Sequence, residues 1–326
     1  MRSARLTALV TLCLTGSVTN VLAQSKITLS YFGAAGWEIS DGKTIILVDP
    51  YLSRIKTSGL AAVTGAVAPS SALGGPIEDS RRTFTPADVV ESDEAVIDTH
   101  VERANFILIT HTHFDHSVDM PYIAKKTGAV VIGTESTLNF ARVSGVPEAQ
   151  LVTVKGGEDF QFGDFSMRVI PSLHGVLPRP LAPLTTRPEG FPANVKPPVR
   201  LDQLLVDGGT LAYLVRIGGH QILVFGSMNY IEREIEGLRP DVVMIGAAPQ
   251  RKDVYDYTAR LLRLLGHPRL VLPTHWDRSN IPYDVSQEPA IKRLQSFIGE
   301  VKAASPSSAV VVPEYFHPIH IDSPER

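Results

Sequence analysis

From Ile27 onward, apolar residues come in short runs that alternate with stretches of helical period. "ITLSYF" (27–32), "WEIS" (37–40) and "TIILVD" (44–49) predict a strand meander, with Gly33, Gly36 and Asp41-Gly42 at its turns. "NFILIT" (105–110) is continuously apolar, as expected of a strand buried on both faces. Further strands are predicted at 129–133, 151–155, 159–162, 165–171, 211–217, 221–226, 241–246, 269–274 and 309–313. Helices are predicted near 118–127, 135–143, 254–265 and 287–303. Between them, 54–105 lacks a clear period apart from a short helix expected after Thr85. Residues 176–200 carry seven prolines, which exclude regular helix or central strand and predict a functional loop. This alternation predicts an α/β fold of two sheets packed face to face with helices outside, in one domain over 24–326.

The first residues depart from that pattern. Arg2 and Arg5 precede an apolar run to about Val18, and Val21-Leu22-Ala23 follows as a small-residue cleavage pattern. This predicts a secretory signal peptide at 1–23 and a periplasmic or secreted mature chain with no membrane anchor. Removing those residues takes away two arginines and no acids, so the net charge moves from −3 to −5. Such a balance argues against nucleic-acid binding. The only cysteine, Cys13, lies within the signal, so the mature chain has neither a disulfide nor a thiolate ligand.

The chemistry concentrates behind the run at 105–110, where "HTHFDH" places His111, His113, Asp115 and His116 within six positions. His111 and His113 point to one side if the backbone is extended, and Asp115 and His116 fall where the chain turns towards the next helix. Imidazole and carboxylate suit zinc, manganese or iron(II). The other histidines draw plainer expectations. His267 is read as a helix C-terminal residue, His100 and His220 as solvated, and His317 and His320 as a pair without support.

"HTHFDH" resembles the H-x-H-x-D-H signature of the metallo-β-lactamase superfamily, and the rest of the chain agrees in order. "YFGAAGWEI" and "TIILVDPYLS" resemble the start of the branch that includes the ascorbate-6-phosphate lactonases, "PSLHG" supplies His174, and "LPTHWD" supplies His275. The resemblance covers about 27–315 and implies a four-layer αββα sandwich with metals at one edge between the sheets. It implies that His111, His113 and His174 hold one ion and that Asp115, His116 and His275 hold another. Asp49 is implied as a carboxylate behind the ligands that orients one histidine. Zinc is the expected metal, two ions in preference to one, with Mn2+ or Fe2+ as alternatives.

The chain departs from the superfamily at "VFGSMNY" (224–230), where Ser227 stands in place of a bridging aspartate. A serine hydroxyl cannot supply that negative charge. The third subclass of metallo-β-lactamases is similar in lacking a bridging aspartate. Ala34 is a second departure, since related chains often have a histidine there. The implied activity is exported hydrolysis of a lactone, ester or phosphoester in a small-molecule partner, with Asp115 positioning the attacking water and shuttling its proton. Ser227, Asn229, Tyr230 and Trp276 are candidate substrate contacts. A β-lactamase and a non-catalytic metal-binding protein of the same fold remain as alternatives.

Overall fold

The computed structural model describes residues 26–57, 79–176 and 190–322. The expected signal peptide and part of the proline-rich loop lie outside these. In the first sheet the strands are β1 (Ile27–Gly33), β2 (Gly36–Ser40), β3 (Ile45–Val48), β4 (Phe106–Leu108), β5 (Val130–Gly133) and β6 (Leu151–Thr153). The second begins with β7 (Asp159–Phe162), β8 (Phe165–Pro171), β9 (Leu211–Ile217) and β10 (His220–Phe225). It continues through β11 (Val242–Gly246), β12 (Leu270–Thr274) and β13 (Ala309–Val310). A last strand, β14 (Ile319–Ile321), returns to β1, so the sheet orders are β14-β1-β2-β3-β4-β5-β6 and β13-β12-β11-β10-β9-β8-β7.

Period-two alternation explains the layers. Ile46 and Val48 turn inward to the core shared with the second sheet, while Ile45 and Leu47 turn outward. There they meet helices α1 (Glu94–His100), α2 (Phe114–Ser117), α3 (Met120–Thr127) and α4 (Glu135–Val143) through residues such as Ile97, Ile123 and Leu138. The outer face of the second sheet is covered by α5 (Glu232–Ile235), α6 (Tyr257–Leu264) and α7 (Glu288–Ala304), which contribute Ile235, Leu261 and Phe297 to the core. The result is an αββα sandwich.

Three local expectations differ. The short helix begins at Glu94 and not after Thr85, because Asp93 caps it by accepting from Val96 N–H. His220 is buried, since it opens β10 and its Nδ1 lies 3.2 Å from Asp241. His100 stacks on Phe316 at 3.5 Å instead of standing free in solvent.

Candidate metal centre

Five strand C-termini open onto one rim. β3 and β4 run parallel in the first sheet, and β8, β10 and β12 share one direction in the second. Asp49 follows β3, the 111–116 segment follows β4, and His174, Ser227 and His275 follow β8, β10 and β12. Ligands commonly sit outside such strand ends, where loops converge without disturbing the core. The sheets approach closely here: a Cβ on Gly226 would meet Thr110 Oγ1 at 2.0 Å and Asp49 Oδ2 at 2.6 Å. Only glycine fits at that crossing.

His111, His113 and His174 form one trio, with one donor atom from each lying within 4.8 Å of the others. His111 Nε2 and His113 Nδ1 are 3.1 Å apart. Thr110 Oγ1 donates to Asp49 at 2.5 Å, so at 3.1 Å it accepts from His111 Nδ1 and leaves Nε2 free. His174 Nδ1 donates to the Gly175 carbonyl at 2.9 Å, which frees its Nε2 in the same way. Burial holds His111 and His113 well below the usual histidine value, and it lowers His174 too. Neutral imidazoles of this kind have a lone pair to give.

Asp115, His116 and His275 form the second trio under the same distance limit. Asp115 Oδ2 lies 3.3 Å from His275 Nε2 and 3.9 Å from His116 Nε2. His116 Nδ1 donates to Asp49 Oδ2 at 2.8 Å, which turns its other nitrogen towards Asp115. Burial opposes the charge of Asp115, but His116 and His275 outweigh it and hold the carboxyl well below its usual range. Burial likewise opposes protonation of His275, yet Asp115 raises it above the ordinary histidine value. The trios adjoin, with the rings of His111 and His116 3.8 Å apart.

A buried network sets His275. Its backbone has φ 54, and its N–H donates to the Ala34 carbonyl at 2.5 Å. Ala34 is itself at φ 50, and Asp49 is at φ 44. Such left-handed non-glycine positions cost about 1–3 kcal/mol each and persist only where the surroundings enforce them. At Ala34 and His275 the enforcing group is Asp277, which accepts from Ala34 N–H and Tyr31 Oη at 2.9 Å, Arg54 Nη1 at 2.9 Å and Tyr315 Oη at 2.7 Å. Trp37 Nε1 donates to Thr274 Oγ1 at 3.1 Å, tying β2 of one sheet to the end of β12 in the other. None of this was visible in the sequence, because Arg54 and Asp277 are 223 positions apart and neither resembles a motif.

The four candidate substrate contacts separate. Ser227 and Trp276 line a cavity of about 370 Å³ over both trios. Ser227 Oγ also accepts from Gly175 N–H at 2.8 Å, and Asn229 Nδ2 donates to the His174 carbonyl at 3.2 Å, so both brace the loop carrying His174. Tyr230 is not among the residues lining that cavity. Its hydroxyl is occupied between the Tyr257 carbonyl and Arg260 Nε. Sequence reading missed Tyr51, a buried phenol on the cavity wall that burial and then Asp115 hold well above the usual tyrosine value.

The donor set fits a divalent cation. Tetrahedral zinc with bonds of about 2.0–2.1 Å puts neighbouring nitrogens about 3.3 Å apart, close to the His111–His113 separation of 3.1 Å. Comparison with known proteins agrees. The model of the "Beta-lactamase superfamily domain" matches residues 28–275. A UPF0173 metal-dependent hydrolase of Heliobacterium modesticaldum is 24% identical over 280 residues, 82% of this chain and 88% of that protein. Among solved structures, the metallo hydrolase Igni18 of Ignicoccus hospitalis superposes with a TM-score of 0.55 at 14% identity, covering 91% of this chain and 99% of its own. The diiron β-hydroxylase CmlA of Streptomyces venezuelae gives 0.51 at 18% identity, covering 91% of this chain and 54% of its own. The chain belongs to the beta-lactamase superfamily.

Proposed function

We infer that this chain is a metal-dependent hydrolase, and we propose that it cleaves an ester, lactone or phosphoester bond in a small molecule. His111, His113 and His174 are the proposed ligands of one ion, and Asp115, His116 and His275 of a second. Zinc is the proposed metal, with manganese or iron(II) as alternatives for the same donors. Export, directed by residues 1–23, completes the proposal. The observation that carries the reading is the position of Asp115, within 3.9 Å of two imidazoles and on the wall of the cavity.

A cation held there supplies Lewis acidity and lowers the pKa of water towards ~7. Asp115 orients the attacking water and takes its proton, and the same carboxyl returns that proton to the leaving group. His275 is held against Asp115 by the backbone lock at Ala34. Asp49 keeps His116 in the tautomer that presents Nε2. Trp276 and Tyr51 line the cavity beside Asp115.

The test combines metal analysis of the purified chain with a panel of aryl esters, lactones, phosphoesters and a chromogenic cephalosporin. Expected are two equivalents of metal and turnover of an ester, lactone or phosphoester that chelator abolishes and zinc restores. Turnover of the cephalosporin alone would make the protein a β-lactamase. Stoichiometric metal without any turnover would make it a binding protein.

A further inference from the structure

Besides the histidines and Asp115, the cavity is bounded by Arg278 and Arg293. Both side chains are half-buried, and among the described residues neither guanidinium meets a carboxylate or a carbonyl oxygen. Nine other arginines hold a carboxylate, whereas these two border the cavity without one among the described residues. Its own carboxylates cannot serve them. Asp277 is enclosed by Arg54, Tyr31, Tyr315 and the Ala34 N–H, and Asp115 faces His275.

Electrostatics and a third donor agree. Burial and then repulsion from Arg293 hold Arg278 below the ordinary arginine value. The opposite holds at Arg54 and Arg142, where acidic partners raise it. Trp276 is 7% exposed, and its indole N–H, which can only donate, has no acceptor among the described residues. Partly desolvated donors of one sign, left without acceptors, are costly until an anion enters. Trp276 and Arg293 also bound a neighbouring cavity of about 310 Å³ together with Lys252, so the cationic wall continues beyond the histidines.

We propose that Arg278, Arg293 and Trp276 recognise an anionic group of the substrate, a carboxylate or a phosphate, carried beside the bond that is cleaved. The assignment of this anion to a substrate rests on the hydrolase reading above. A guanidinium matches either oxyanion through paired N–H donors, which a solvated lysine does not reproduce.

Titration calorimetry of the metal-loaded protein with phenylphosphonate, phenylacetate and neutral benzyl alcohol reads the wall directly. At least one anion is expected to bind tenfold or more tightly than the alcohol, and which one does so separates phosphate from carboxylate recognition. In the double variant Arg278→Leu/Arg293→Leu that binding falls at least tenfold, and in Arg278→Lys/Arg293→Lys it is partly kept. Equal binding by the parent and the leucine variant, with metal content and circular dichroism intact, would overturn the proposal, since the anion would then be held by metal alone. In a second arm, the ratio of kcat/KM for an aryl hemisuccinate over the matching aryl acetate falls at least tenfold in the leucine variant; an unchanged ratio also overturns it. Arginine-dependent anion binding without any ester turnover would leave the wall standing while removing the hydrolase reading.

Discussion

His111, His113 and His174 meet as three imidazoles that burial keeps neutral, whereas Asp115, His116 and His275 meet around one ionised carboxylate. The first trio is braced by uncharged groups, with the Thr110 hydroxyl beside His111 and Ser227 and Asn229 bonded to the His174 loop. The second leans on two buried carboxylates that belong to neither trio, Asp49 behind His116 and Asp277 behind the His275 backbone. As proposed metal sites, one half would draw its affinity from desolvated lone pairs, and the other from charge held in place. With Ser227 where a bridging aspartate is expected, Asp115 is the sole carboxylate of either trio, and the two halves should fail differently.

Asp115→Asn strikes the charged half directly. It is expected to lower kcat/KM by about 10⁴-fold, on the order of 5 kcal/mol, and to release one equivalent of metal while the other stays. Metal analysis after dialysis checks this; retention of both equivalents with near-parent activity would remove the asymmetry. Asp277→Asn acts on the same half through its support. Breaking a buried pair with Arg54 costs about 3–5 kcal/mol, and the deficit depends on pH. Burial opposes ionisation of Asp277, but Arg54 outweighs it and the folded-state value is depressed. Its contribution is therefore full above the unfolded value of about 4 and is lost as pH falls through the folded value. Urea midpoints of parent and variant, measured in chelator, should begin to converge as pH falls below about 4. A deficit of equal size at pH 3 and pH 7 would refute the ion-pair account.

Asp49→Asn should weaken metal binding by about 10–100-fold, at the His116 side first, as read by competition with a chromophoric chelator. Equal weakening of both equivalents would mean that Asp49 supports the trios jointly through Thr110. The smallest effect is expected from Ser227→Ala, which strips the acceptor from Gly175 N–H at a cost of about 1–2 kcal/mol. It should lower kcat/KM by roughly 3–10-fold through His174 while leaving the His275 side intact. A loss comparable to that of Asp115→Asn would instead give Ser227 a direct part in the reaction.

Much of this arrangement was legible from residue order. Strands such as 159–162, 165–171 and 211–217 begin and end where their alternation says they should. The "HTHFDH" turn announced itself directly behind an apolar run, His174 and His275 came from the family resemblance, and the structure brings these residues together. The supports did not announce themselves. Ala34 acts through its carbonyl, which any residue possesses, and Arg54 finds Asp277 only once the sheets have packed. β14 is three residues long, too short for alternation to register, yet it closes the edge of the first sheet against β1. Trp276 read as a candidate substrate contact, and its N–H, without an acceptor among the described residues, exists only as a three-dimensional fact.

Gly226, pressed against Thr110 and Asp49, marks where the two sheets come into closest register beside the donors. The 111–116 turn leaves the ribosome well ahead of His174, and His275 emerges just over a hundred positions later still. A half-made chain can thus offer neither complete trio, and a cation caught early would have to let go or wait. On the metal reading proposed above, loading would belong to the end of assembly, the ion would act as a rivet through the seam, and withdrawing it should loosen that seam before either sheet frays.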